Sequence, residues 1–295
     1  MGNRTESSRA RKDGAPLLRA ARLSLVALAL LVAGCSLALA YRHADWLILW
    51  EVDHYFDLTS EQKASLDRNL KVLLARHRTE ALPAYEGFLS QIQERVWSGL
   101  RREDVDWGFT TYQNLRADLF ERIVGDGAVF LASVDEHQVQ YLEQALRKDN
   151  QKSDQLLKVG TEERLAKRAR ATVEFVEDWL GELTADQKRR ITTMSRALPD
   201  LQGPWLAYQR HQQQELLHQL RIRRSPEVLS AYLRDWLIFP ERRAPPAYQR
   251  ALDDMRAGVK DMILAVDRMA TQQQRSHALE KLHSLIDTIH ELAVS

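Results

Sequence analysis

The residues able to do chemistry are few and scattered. Among 295 residues there are one cysteine, Cys35, and nine histidines. A single thiol rules out an internal disulfide and CxxC metal or redox chemistry. His211 and His218 stand seven apart, as do His283 and His290, which puts each pair on one helix face. Zinc asks for three or four converging ligands, and helical pairs usually stand three or four apart. No H-E-x-x-H occurs, so no metal is expected and these read as exposed helix histidines. The densest polar cluster is Asp45, Glu51, Asp53, His54 and Asp57, beside Trp46 and Trp50. Asp45, Trp46, Trp50, Asp53 and His54 are the candidates for a polar ligand site; the other reading is a solvated face with a helix start. No G-x-S-x-G elbow is present, and the glycines are isolated rather than gathered into a phosphate loop. No catalytic residue and no cofactor is expected, with an enzyme built on scattered carboxylates as a rival reading.

Cys35 itself lies in a segment whose pattern is one of targeting. Six bases and two acids precede it, and after Arg22 comes the uncharged run Leu23–Ala33, then Gly34-Cys35. A basic start, an apolar stretch and small residues before a cut site make an export signal. Val32-Ala33-Gly34-Cys35 also resembles the bacterial lipobox, which implies cleavage between Gly34 and Cys35 and acylation of the cysteine by diacylglyceryl and palmitate-type chains. Ser36 resembles the second residue of lipoproteins forwarded to the outer membrane. Leu23–Tyr41 carries no charge, so an uncleaved anchor is the alternative. Both readings place residues 43–295 outside the cytoplasm, joined to a membrane. The division expected is a signal peptide over 1–34, a lipidated tether over 35–41 and a helical domain over 42–295, with a sub-boundary near 182 or 240–246.

Charge narrows the partners. Of 42 bases and 41 acids, six and two fall in residues 1–34, leaving 36 and 39 in the mature chain. Nucleic acid needs a basic excess on some face, and this balance argues against it. Lys167–Arg170 and Arg221–Arg224 are expected to be solvated helix faces. Trp46, Leu49 and Trp50 have two readings: packed into the core, which is favoured, or set with Tyr41 at the level of lipid headgroups.

The elements that must position these residues are helices. Val105, Phe109, Tyr112, Leu119 and Ile123 recur at helical spacing, as do Val173, Val176 and Leu180, and Met255, Met262, Val266 and Met269. No alternating β-branched run bounded by hairpin turns is found. The expectation is an all-α multi-helix bundle of roughly nine to eleven helices, elongated or as two fused bundles. Ser225-Pro226-Glu227 predicts a helix start with proline at its first position. Gly203-Pro204, Asp126-Gly127 and Pro240–Pro246 predict breaks. One helix start recurs: Leu58-Thr59-Ser-Glu-Gln62-Lys63 and Leu183-Thr184-Ala-Asp-Gln187-Lys188, with looser copies at Val134-Asp135…Gln138 and Ala270-Thr271…Gln274. Each predicts a capping box, in which the Thr or Asp oxygen accepts from the N3 amide and the glutamine reaches back to the cap N–H. Leu66, Leu142, Ile191 and Ala278 should then face inward. The unequal separations fit no solenoid, though an old duplication would account for the copies.

Tyr41, Asp45-Trp46, Trp50, Asp53-His54-Tyr55-Phe56-Asp57-Leu58, Gln62, His77-Arg78, Leu82-Pro83 and Tyr85, with the lipobox, resemble a family of proteobacterial lipoproteins known only as a domain of unknown function. That resemblance implies an address and a helical fold and brings no activity. It is clearest over residues 32–90, and Ala75-Arg76 departs from it where a tryptophan is expected. The LT-x-x-Q copies are also similar to periplasmic helical chaperones and envelope-stress sensors, which implies binding of unfolded clients. The function expected is a tethered, non-catalytic binding or scaffolding role at the periplasmic face of the outer membrane, its protein or peptide partner held in an apolar groove rimmed by charge.

Overall fold

The protein is described by a computed structural model over residues 34–295, with side chains from Leu37 onward. All of the expected signal peptide but Gly34, and the side chain of Cys35, lie outside the described residues. The helices are α1 (Gly34–Arg42), α2 (Ala44–Phe56), α3 (Ser60–Arg76), α4 (Leu82–Ser98), α5 (Arg102–Ala132) and α6 (Glu136–Leu157). They continue as α7 (Thr161–Leu180), α8 (Ala185–Ala197), α9 (Gln202–Arg221), α10 (Pro226–Leu237), α11 (Pro246–Met269) and α12 (Gln272–Val294). His43 alone parts α1 from α2, so the two count as one bent helix and the total among the described residues as eleven. No strand occurs among the described residues, and the fold is the all-α bundle that the periodicity predicts.

All four capping boxes form. Thr59, Asp135, Thr184 and Thr271 each accept from the N–H three residues on, at 2.8–3.2 Å, and each glutamine returns the bond to the cap N–H. The spacing does not reveal that the glutamines then meet in pairs across the fold. Gln62 and Gln138 exchange amide hydrogen bonds of 3.1 and 2.7 Å, and Gln187 and Gln274 exchange bonds of 2.8 and 3.0 Å. Gln138, Gln187 and Gln274 are buried, so each amide must spend its donors and acceptor on protein. They do so by binding main-chain carbonyls as well: Gln138 reaches Phe56 O and Gln187 Met269 O at helix ends, and Gln274 reaches Glu182 O in the turn after α7.

The surroundings of the two strong copies agree in further detail. An acid on the preceding helix, Asp53 or Glu177, accepts from the N–H of Leu58 or Leu183 at 2.9 and 3.3 Å. The same acid pairs with the following lysine, Lys63 or Lys188, at 2.9 and 2.6 Å. A residue with positive φ, Asp57 (47°) or Gly181 (77°), turns the chain into each motif. The chain is thus two like halves, α2–α6 and α7–α12, interlocked rather than side by side. The last helix of the first half, α6, packs on α9, the third helix of the second; the last helix of the second half, α12, packs on α4, the third of the first. Helix α10 has no counterpart and lies along α5.

The seams differ in chemistry. Between α4 and α12 the contact is aliphatic: Leu82 and Leu89 against Leu282, Leu285, Ile286, Ile289 and Leu292. Between α6 and α9 it mixes apolar and polar groups. Leu142 and Leu146 join a cluster with Leu216, Leu217 and Leu220, while the Asn150 amide donates to Gln213 at 2.7 Å. Tyr55 donates to the buried carboxylate of Asp149 at 2.6 Å.

Several sequence readings are corrected. Helix α5 runs unbroken through Asp126-Gly127. Glycine costs a helix about 1 kcal/mol, and the burial of Val124, Ala128 and Leu131 around it outweighs that. The buried face of α5 also differs from the expected stripe, since Tyr112 is exposed. Lys167–Arg170 is not a purely solvated face. Arg168 is half-buried and its guanidinium donates to Ser195 O, Leu198 O and Pro199 O, each at 2.7 Å. Those are carbonyls at and just past the end of α8, which a fork of donors can bind together. Arg116 does the same for Leu237 O and Ile238 O at the end of α10. Gly203-Pro204 falls in the first turn of α9 rather than between elements. Ser225-Pro226 starts α10 as expected, and a 3₁₀ turn at Pro240–Arg243 precedes the start of α11 at Pro246. Leu142, Ile191 and Ala278 are buried after their glutamines as expected, and Leu66 is half-buried.

Candidate functional site

The five candidates lie on α2, and a separate polar bridge joins α1 to the junction of α3 with α4. That junction is a π turn, His77–Ala81, closed by a hydrogen bond from the Leu82 N–H to His77 O five residues back. Pro83 supplies the cause. A proline ring inside a helix collides with the carbonyl four residues before it and has no N–H to give, and a widened turn accommodates both. Helix α3 therefore continues into α4 with one extra residue in the turn, a feature frequent at functional sites.

The wide turn presents His77. Its Nδ1 lies 3.1 Å from the Tyr41 hydroxyl and its Nε2 3.3 Å from the Tyr85 hydroxyl. Both rings pack on the imidazole, with centroids 5.7 and 5.5 Å away. Burial lowers the His77 pKa from its ordinary value, and the nearby Arg122 guanidinium adds to this. Burial likewise raises the hydroxyl pKa of Tyr41 and of Tyr85. The neutral imidazole is therefore the favoured form, one nitrogen donating and the other accepting. Tyr41 belongs to α1, so this bridge fastens the helix beginning at Gly34 onto the bundle. Leu37, Ala38 and Tyr41 also pack on the α4–α12 cluster.

The five candidates on α2 separate by role. Asp45 accepts from the Trp46 N–H at 2.8 Å in the first turn of α2. Asp53 is the carboxylate that receives Leu58 N–H and Lys63. Asp57 is the left-handed residue ending α2. Asp45, Asp53 and Asp57 thus serve helix ends and turns. Trp46 and Trp50, which the favoured sequence reading places in the core, are 60% and 48% exposed. The core position on α2 is taken by Tyr55. His54 stacks on Trp50, rings 5.9 Å apart and 17° from parallel.

The remaining histidines do not assemble. His211 and His218 are exposed on α9, while His283 and His290 on α12 face Asp287 and Glu86 respectively. Among the described residues no group of three or more His, Cys, Asp or Glu is placed to hold a metal ion. An open cleft of about 650 Å³ lies between α4 and α12, lined by Trp97, Leu279, Gln93, Glu94, Glu280 and His283. Trp97 and Leu279 line it together with the charged or polar Gln93, Glu94, Glu280 and His283, and no sequence motif marks Trp97 as part of it. No described helix is long and apolar enough to cross a membrane.

The LT-x-x-Q likeness to chaperones has a structural account of its own, since both copies are used up in capping and in the glutamine pairs. Neither curated proteins nor solved structures give a match. The profile of a family of unknown function, DUF6279, matches residues 54–250, which takes in His77, Tyr85 and three of the four paired glutamines. That is two-thirds of the chain, and it begins within α2 and ends within α11: the protein belongs to the DUF6279 family of unknown function.

Proposed function

We propose that this chain is an exported lipoprotein, acylated on Cys35 and held at the periplasmic face of the outer membrane, where it serves as a non-catalytic binding or scaffolding module. The observation that carries the reading is where the lipobox stands relative to the fold. Cys35 is the second residue of a helix whose Leu37, Ala38 and Tyr41 are built into the bundle. Little chain lies between the acyl position and the first packed side chain, so an acyl anchor there sets the pose of the whole domain rather than tethering it on a string. The α4–α12 cleft is the surface offered for a protein or peptide partner, with Trp97 and Leu279 as its apolar contacts and Glu94 and Glu280 as its charged ones.

Metabolic labelling with a clickable palmitate analogue tests the anchor. Cys35→Ser should abolish the label and leave the unprocessed chain. An unchanged label would refute the reading.

A further inference from the structure

Resting on the acylated-tether reading, we infer that the outward face of α1 and α2 is a membrane-contact surface that lies in the lipid headgroup layer. Leu39 (60% exposed), Trp46, Leu47, Ile48 and Trp50 are large apolar side chains left exposed, Leu39 two turns before Trp46. Trp46, Leu47, Trp50 and His54 fall within one sector of α2, at positions i, i+1, i+4 and i+8. The opposite side of the same helix holds the buried Tyr55, and α2 packs on α3 and α6. Asp45 and Asp53 are turned to backbone amides and to Lys63, while Glu51 borders the sector and the exposed Asp57 follows it at the end of α2. Tryptophan with a polar partner at its edge is the side chain that bilayer interfaces favour.

The tether reading names the occupant: Cys35, the residue that would bear the acyl chains, is the second residue of α1, so lipid would be the neighbour of that helix. The path from α1 to α2 stays hydrogen-bonded through His43, whose N–H donates to Leu39 O at 3.3 Å and whose carbonyl accepts from Leu47 N–H at 3.0 Å. At 1.5 Å per residue, Trp46 stands about 16 Å and Trp50 about 22 Å along the helix from Cys35. A headgroup layer is only about 6 Å deep on each side. A helix rising upright from the anchor would carry both indoles into water. Lying flat, it keeps both within the layer that holds the anchor, and an amphipathic helix in that pose buries its apolar face to about this depth.

The test uses the purified, acylated full-length product reconstituted into phosphatidylethanolamine and phosphatidylglycerol vesicles, with and without bromine on the acyl chains. Bromolipid quenches indoles that sit in the membrane. Of seven tryptophans, Trp46 and Trp50 should account for most of the quenching, so W46F/W50F should lose at least about half of it. Far-UV circular dichroism and mass spectrometry of the Cys35 peptide are read on the same samples. Equal quenching in the wild type and the double variant, or none in either with Cys35 acylated, would overturn the inference and leave the tether standing. A Cys35 peptide without acyl mass would sink the tether and this surface together.

Discussion

The paired glutamines invite a double-mutant cycle on Gln187 and Gln274. Gln187→Ala removes four hydrogen bonds: two given, to Met269 O and Gln274 Oε1, and two received, from Thr184 N–H and Gln274 Nε2. Gln274→Ala also removes four, given to Glu182 O and Gln187 Oε1 and received from Thr271 N–H and Gln187 Nε2. A buried protein hydrogen bond is worth about 1 kcal/mol net. Each single variant should therefore lose about 2–4 kcal/mol, the exposed Thr184 N–H recovering part of its loss from water. Two of the bonds are common to both variants. The double variant should thus fall short of the summed single losses by about 2 kcal/mol, within the range measured for contacting residues. Equilibrium urea unfolding of the mature chain, followed by far-UV circular dichroism, reads all four corners. The same cycle on Gln62 and Gln138 should give a smaller coupling, because Gln62 is only half-buried. Additivity to within about 0.5 kcal/mol at Gln187 and Gln274 would mean that the two amides do not support each other, and the account of how the halves lock would fail.

Three more outcomes are expected from the geometry. Thr59→Ala and Thr184→Ala should each cost about 0.5–2 kcal/mol as lost N-caps, and unaltered melting would remove the capping account. Because the folded state lowers the His77 pKa, the unfolded chain binds that proton more readily. Stability is then full above the unfolded value near 6.5 and falls as pH drops through the folded value. His77→Gln should flatten that acid-side slope in urea titrations, and an identical pH profile would count against a buried neutral imidazole. Gly125 sits inside α5 with nothing within 4 Å of where a Cβ would be, so Gly125→Ala should gain up to about 1 kcal/mol in helix propensity; a lower melting temperature would contradict the unbroken α5.

What can be read from the sequence is what is local. Capping chemistry involves residues three apart, and all four boxes are visible as Thr or Asp followed by Gln. Helical spacing determines the class of fold for the same reason. What cannot be read is long-range. Gln62 meets Gln138 across 76 positions and Gln187 meets Gln274 across 87, and no spacing rule signals that two capping residues will share an amide pair. Arg168 reads as part of a basic run because its partners, three carbonyls of another helix, have no side-chain signature. Apolarity alone assigns Trp46 and Trp50 to the core, but it ranks residues for burial without choosing the face. The turn holding His77 is legible only in hindsight, from Pro83 six residues on.

The interlocking of the halves bears on how the chain acquires its structure. Leu82 and Leu89 on α4 are covered by Leu282–Leu292 on the last helix, about two-thirds of the chain length away. As the polypeptide emerges with its N-terminus first, those leucines wait uncovered until the final helix is released, and closing so long a loop costs entropy that local contacts cannot offset in advance. Synthesis cut short before α12 would leave an aliphatic face open and the Gln187 amide without its mate. Complete chains and truncated ones are then told apart by a sticky surface, a built-in mark of unfinished product for whatever quality control the nascent protein meets.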